Sequence, residues 1–238
     1  MKKNRHLFYL LVILSVMVTS CSTPIDKPDK IDPVTKMDSI SYIIGYDYGQ
    51  GIHDQEIEAN PMMVYKGLYD ALNEKDDYLP DSVRERLINE FQKKVKKMED
   101  DRFQKMVAKN KEEGKKFIEE NKKAAGVVEL PDGLQYKILK LGNGKSFPAP
   151  NDSVLIHYRA MYTDRTTFDM SYETGPVGIR INHLVKGLSE GIRLMKKGAI
   201  YEFYIPPDLG YGDQNYQDKI PGGSTVIYSV ELIDVYDK

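Results

Sequence analysis

Residues 203–212 read FYIPPDLGYG, two prolines and two glycines set among aromatic residues directly after a strand-like run. Upstream, residues 157–169 read HYRAMYTDRTTFD. Together these segments predict a small antiparallel sheet whose concave face is lined by aromatic side chains. Such a face binds an apolar ring by packing and exclusion of water, with no nucleophile, metal or cofactor required.

Other chemistries find less support. Residues 187–191, GLSEG, satisfy the nucleophile-elbow pattern around Ser189, but that motif needs a histidine later in the chain and none follows His183. The segment reads instead as a turn into a short helix. Gly144-Lys145-Ser146 ends like a phosphate-binding loop, yet Leu139 stands where the first glycine belongs. The four histidines, His6, His53, His157 and His183, lie far apart with no metal-ligand spacing, so no metal site is expected. His157 reads as a strand residue with a local hydrogen bond, and no cofactor is called for. A net charge of -2, with both signs interspersed, leaves no footprint for nucleic acid.

The positioning elements follow from composition and periodicity. Lys2, Lys3, Arg5 and His6 precede the apolar run of residues 7–18, and Thr19-Ser20-Cys21 closes it, the layout of a secretory signal too short to span a bilayer comfortably. Val18-Thr19-Ser20-Cys21 looks like a bacterial lipobox, which predicts cleavage after residue 20 and a lipid on Cys21. Cys21 is the only cysteine, which excludes a disulfide framework. Residues 21–33 are polar and proline-containing, as in a flexible tether.

Three helices are predicted next. Met37, Ile40, Ile44 and Tyr48 recur at helical spacing, with Asp38 or Ser39 as the cap. Asn60-Pro61 opens a second helix carrying Val64, Leu68, Ala71 and Leu72. A third starts near Pro80-Asp81-Ser82 and runs to about Lys123, with Gly114 marking a bend. Its apolar stripe, Leu87, Phe91, Val95, Met98, Met106 and Phe117, is too thin to bury along its whole length in one small domain. It therefore serves as a stalk or pairs with another chain. Gly45 and Gly49 would let a second helix approach closely. From Gly126 onward the pattern alternates with period two, broken by one helical stretch at 183–197. That predicts about five strands against a short helix, an α+β domain. The expected divisions are a signal peptide (1–20), tether (21–33), helical dimerisation domain (34–80), long connecting helix (81–125) and C-terminal domain (126–238).

These blocks, in this order, carry a resemblance. Residues 157–169, HLVKGLSEGIRLMKKG at 183–198, IPPDLGYG at 205–212 and IPGGSTVIYSVELIDV at 220–235 resemble the FKBP-type peptidyl-prolyl isomerases. SYIIGYDYGQGI at 41–52, NPMMVYKGLYDAL at 60–72 and FIEENKKAAGVVELPDGLQYKIL at 117–139 resemble the macrophage infectivity potentiator branch of that family. The resemblance implies a twisted antiparallel sheet around a short helix, joined by a long helix to an N-terminal segment that entwines two subunits. It implies an isomerase of X-Pro bonds acting on unfolded or partly folded polypeptides in the bacterial cell envelope. It also assigns Tyr158, Phe168, Asp169 and Tyr211 to catalysis. Ile179, Leu184, Val185, Leu188, Ile220 and Tyr228 are assigned to substrate binding. Tyr211 would donate to a substrate carbonyl and Val185 would contribute a backbone amide. Several positions depart from the family: Leu188 stands for a tryptophan, Ile179 for a phenylalanine, Arg165 for a turn glycine, Met170 for a serine and Gly222 for a proline. The first two leave the pocket less aromatic, which keeps open an alternative reading as a dimeric holdase or scaffold with little turnover.

Overall fold

The computed structural model describes residues 32–236. The expected signal peptide, Cys21 and nearly all of the tether lie outside the described residues. The chain divides between Tyr78 and Leu79 into two units.

The first unit holds helices α1 (Lys36–Asp54) and α2 (Pro61–Leu72). Thr35, rather than Asp38 or Ser39, caps α1. Its Oγ1 accepts from the Asp38 amide at 3.1 Å while the Asp38 carboxylate accepts from the Thr35 amide at 2.7 Å, a reciprocal box that satisfies two orphan donors. Asn60 caps α2 through Oδ1, with Pro61 in the first turn as expected. Neither helix has a buried residue.

The second unit begins with α3 (Asp81–Asn121), 41 residues and so about 60 Å long. The helix is unbroken at Gly114, contrary to the expected bend. A Cβ there would lie 2.2 Å from Thr225 Oγ1, so glycine is required by close approach to the domain that follows. The thin stripe is likewise only part of the account. Val107 is buried, and Phe117 and Ile118 pack against Met161, Tyr204 and Ile227. The last third of α3 is thus a cover for one face of the sheet. Gln135 fixes the join, donating to the Ile118 carbonyl at 2.9 Å and accepting from Asn121 at 2.8 Å.

The sheet has seven antiparallel strands: β1 (Val127–Glu129), β2 (Gln135–Lys140), β3 (Ser153–Met161), β4 (Thr167–Met170), β5 (Val177–Arg180), β6 (Ile200–Ile205) and β7 (Val226–Tyr236). Their order is β1-β2-β6-β7-β3-β4, with β5 also paired to β3. The count exceeds the expected five because β1, β4 and β5 span only three or four residues each, too few to show alternation. Period two sorts β6 cleanly. Tyr201, Phe203 and Ile205 join one core cluster, while Tyr204 joins the cluster beneath α3.

Against the first face lies α4 (Lys186–Ile192). It is shorter than the 183–197 stretch predicted, because a 3-10 turn at Ile181–His183 precedes it and tight turns through Leu194 and Met195 follow. Gly187 and Gly191 are helix residues rather than turn residues. A Cβ on Gly191 would sit 2.5 Å from the Phe203 ring, and one on Gly187 would sit 2.7 Å from Ile205. The helix therefore lies unusually close to the sheet.

Arg165 occupies the left-handed region, φ 68, in the turn between β3 and β4. A side chain costs about 1 kcal/mol there. The compensation is a two-pronged ion pair with Glu202, at 3.0 and 3.1 Å, on a carboxylate that also accepts from Tyr204 Oη at 2.6 Å. Arg165→Ala should lower stability by about 2 kcal/mol by stranding a buried carboxylate. Arg165→Gly should lose about 1 kcal/mol less, since glycine relieves the backbone. Urea unfolding of both variants checks this, and equal losses would show that the turn carries no backbone strain.

Candidate functional site

The FYIPPDLGYG segment forms the end of β6, a 3-10 turn at Pro207–Leu209 and the residues leading to Tyr211. Pro206 and Pro207 terminate the strand, and the turn directs Tyr211 back across the sheet. Its hydroxyl lies 2.6 Å from that of Tyr228 on β7. Around this pair the aromatic side chains converge. Phe168 on β4 meets Tyr228 edge-on at 6.4 Å, and Tyr158 on β3 lies 6.1 Å from it. Tyr158 Oη donates to Asp169 Oδ2 at 2.8 Å, a bond that the antiparallel pairing of β3 with β4 makes possible.

The remaining predicted residues belong to the same hydrophobic core. Leu188 on α4 and Ile220 are buried in the cluster that holds Tyr228, while Ile179, Leu184, Val185, Phe168, Tyr158 and Tyr211 pack on it partly exposed. Val185 is the N-cap of α4, so its N–H lies outside the intrahelical ladder. Asp169 sits at the rim, where Lys219 Nζ is 3.8 Å from its other oxygen. Three further neighbours stand beside them; Tyr216 and Lys219 fall in the loop 213–219, which reads in sequence as peculiar to this chain and as a setter of substrate preference, while Tyr162 carries no such reading. Tyr162 packs on Phe168 with ring centres 4.8 Å apart, Tyr216 packs on Tyr211 at 4.7 Å, and Lys219 adds a charge. Aromatic content in residues 162 and 216 was the available signal, but nothing local says which way those loops fold.

Among the described residues no group of histidine, cysteine or carboxylate side chains is arranged to hold a metal ion. Ser189 lines a cleft of about 630 Å³ along α4 with Leu184, Lys186, Glu190, Arg193 and Leu194, and no histidine lines it. His157 holds Ser171 Oγ at 3.0 Å and stacks on Tyr172, the local bond predicted for it.

The chemistry available is that of neutral donors in an apolar cup. Burial, reinforced by the bond to Asp169, pushes the Tyr158 phenol up to about 12. Burial also pushes Tyr211 and Tyr228 upward. All three remain protonated at physiological pH and so do not attack a carbonyl; Tyr158 spends its proton on Asp169 and one proton lies between Tyr211 and Tyr228, which leaves one hydroxyl of that pair to donate.

Sequence and structure comparisons agree with this geometry. Residues 37–138 match the domain amino-terminal to FKBP-type peptidyl-prolyl isomerase, and residues 144–233 match the FKBP-type peptidyl-prolyl cis-trans isomerase domain itself. The outer membrane protein MIP of Legionella longbeachae is 32% identical over 226 residues, covering 94% of this chain and 97% of that protein. The chain belongs to the FKBP-type peptidyl-prolyl cis-trans isomerases. The isomerase Mip of Coxiella burnetii is 33% identical, covering 86% of this chain and 89% of its own. The crystal structure of FkpA from Escherichia coli superposes with a TM-score of 0.73 at 29% identity, over 86% of this chain and 99% of that one. The FKBP-type chain is therefore an enzyme of the Mip and FkpA branch, and its α+β architecture with a long connecting helix is that of the branch.

The pH dependence of this isomerase follows from its phenols. Tyr204 is also pushed up to about 12, by burial and by its bond to Glu202. A free tyrosine ionises near 10. Between about pH 10 and 12 the unfolded chain has lost protons that the folded one retains, so stability falls as pH rises through that window and is fully present below it. Urea midpoints should be flat in this respect to about pH 9 and decline above about pH 10. Tyr204→Phe should flatten the decline, and an unchanged slope in that variant would exclude its phenol as a cause.

Proposed function

We propose that the cup formed by Tyr158, Phe168, Tyr211, Tyr228, Leu188 and Ile220 is where the X-Pro bond rotates. The convergence of aromatic walls on the Tyr211–Tyr228 hydroxyl pair, without a nucleophile beside it, supports this reading. Rotation faces a barrier of about 18–20 kcal/mol because amide resonance must be broken. In the twisted state the amide is less delocalised and carries less charge separation. An apolar cavity favours it over the planar form that water solvates better. Tyr211 donates to the substrate carbonyl. Tyr228, at 2.6 Å, holds that hydroxyl in place, and Asp169, oriented by Tyr158, organises polar contacts at the rim. Val185 offers its backbone amide, while Ile179 and Leu184 complete the apolar lining.

The surroundings of the enzyme follow. Residues 34–80 form a dimerisation domain in which α1 and α2 meet their counterparts in a second copy. Both helices expose large apolar side chains, among them Met37, Tyr42, Ile44 and Leu72, and around Gly45 and Gly49 the space is open. Residues 81–125 connect that domain to the isomerase domain at 126–238. A relative named as an outer membrane protein and the lipobox-like sequence support a position in the bacterial envelope, held by a lipid on Cys21 after removal of residues 1–20. Its clients are proline-containing polypeptides not yet folded.

A protease-coupled proline isomerisation assay tests the site. Tyr211→Phe and Asp169→Ala should each lose about tenfold in kcat/KM, and Tyr228→Phe about threefold, the scale of removing one positioned donor or its support. Ser189→Ala should be unchanged. A wild-type rate no faster than the uncatalysed one, with aggregation of a refolding client still suppressed, would favour the holdase. For assembly, sedimentation should give a dimer for the chain from Ser22 and a monomer for the chain from Leu79. Two monomers would exclude α1 and α2 as the interface.

A further inference from the structure

Residues 212–223 form a closed loop whose inner side faces the pocket. Ile220 is buried in the pocket cluster, Tyr216 stacks on Tyr211, and Tyr216 and Ile220 exchange both backbone hydrogen bonds. The loop is pinched at its neck, where the Gly223 amide donates to the Gly212 carbonyl at 2.8 Å and the Gly222 amide donates to Asn215 Oδ1 at 2.9 Å. That neck rests on α3. Asn110 Nδ2 donates to the Gly222 carbonyl at 2.8 Å, Lys111 pairs with Asp213 at 2.7 Å, and Val107, 5% exposed, lies against Gly222 and Gly223. These contacts join residues about a hundred positions apart.

We propose that Val107, Asn110 and Lys111 are positioning residues of the isomerase, setting the pocket wall through the neck of this loop. The assignment rests on the pocket reading given above. Gly222 makes the contact possible. A Cβ there would meet the Asp213 carbonyl oxygen at 2.1 Å and Val107 Cγ2 at 3.1 Å, so any side chain parts the two strands of the neck or lifts the loop from the helix. The three contacts are unequal. The Lys111–Asp213 pair is half exposed and screened by solvent. Asn110 fills a carbonyl at a partly buried site, and Val107 supplies the apolar seat. A helix fixed in this way transmits its position to Tyr211 and Ile220 without touching substrate. Displacing catalytic or binding groups by about 1 Å can cost about a hundredfold.

The test uses the chain from Ser22, with isomerase kinetics on a short proline peptide and amide hydrogen exchange at residues 212–223. Asn110→Ala and Gly222→Ala should speed exchange at the neck and lower kcat/KM by about fivefold and more than about tenfold respectively, mainly through KM. Lys111→Glu should cost about threefold, and the charge swap Lys111→Glu with Asp213→Lys should recover to within about twofold of wild type. A general loss of stability would not reproduce rescue by the swap. Exchange unchanged in Asn110→Ala and Gly222→Ala overturns the assignment, as does faster exchange with activity within about twofold of wild type. Unchanged activity in Tyr211→Phe and Asp169→Ala overturns instead the pocket reading, because loop exchange still reports the contact of the neck with α3.

Discussion

The close seating of α4 on β6 is the contact on which the site depends. Two glycines one helical turn apart, Gly187 and Gly191, allow the helix backbone to rest directly over Ile205 and Phe203. Larger residues would raise the helix by the thickness of a side chain, and Leu188 would no longer reach the cluster that holds Tyr228. The same seating fixes Val185 at the start of α4 and Leu184 just before it. One short helix at the right height thus closes a cup that the sheet leaves open.

Within that cup the polar groups work in pairs. Tyr158 is tied to Asp169, and Tyr211 to Tyr228. Each pairing satisfies a hydroxyl that burial would otherwise penalise, and each leaves its groups neutral or outward-facing rather than nucleophilic. The pocket proposed for rotating an amide would need this restraint. It gains from excluding water and from holding a carbonyl, and a reactive group would add only side reactions. Leu188, which the family resemblance sets in the place of a tryptophan, would keep the floor of the proposed pocket apolar while reducing its area.

The opposite face of the sheet is as fully used. Phe117 and Ile118 close it, Gly114 admits Thr225, and the stretch from Val107 to Lys111 supports the loop on the pocket side. Bond-rotation chemistry is tolerant of sequence but sensitive to where the walls stand. A rigid helix of eleven turns or so is a firm support for such a wall.

The sequence by itself determined the order and kind of the long elements, because α1, α2, α3, β3 and β7 each repeat their period often enough to be unambiguous. Asn60-Pro61 marked a helix start, and the segments 157–169 and 203–212 pointed to an aromatic-lined face, because capping and ring packing are chosen locally by residue type. Family resemblance added the remaining pocket positions and the roles. Tertiary structure decided everything that depends on distance across the chain. The strands β1, β4 and β5 exist because longer neighbours pair with them, not through any pattern of their own. Gly114, Gly187 and Gly191 look like bends or turns in sequence, since glycine has the same letter whether it frees φ or removes a Cβ. Only the approach of Thr225, Ile205 and Phe203 shows that the missing Cβ is the reason.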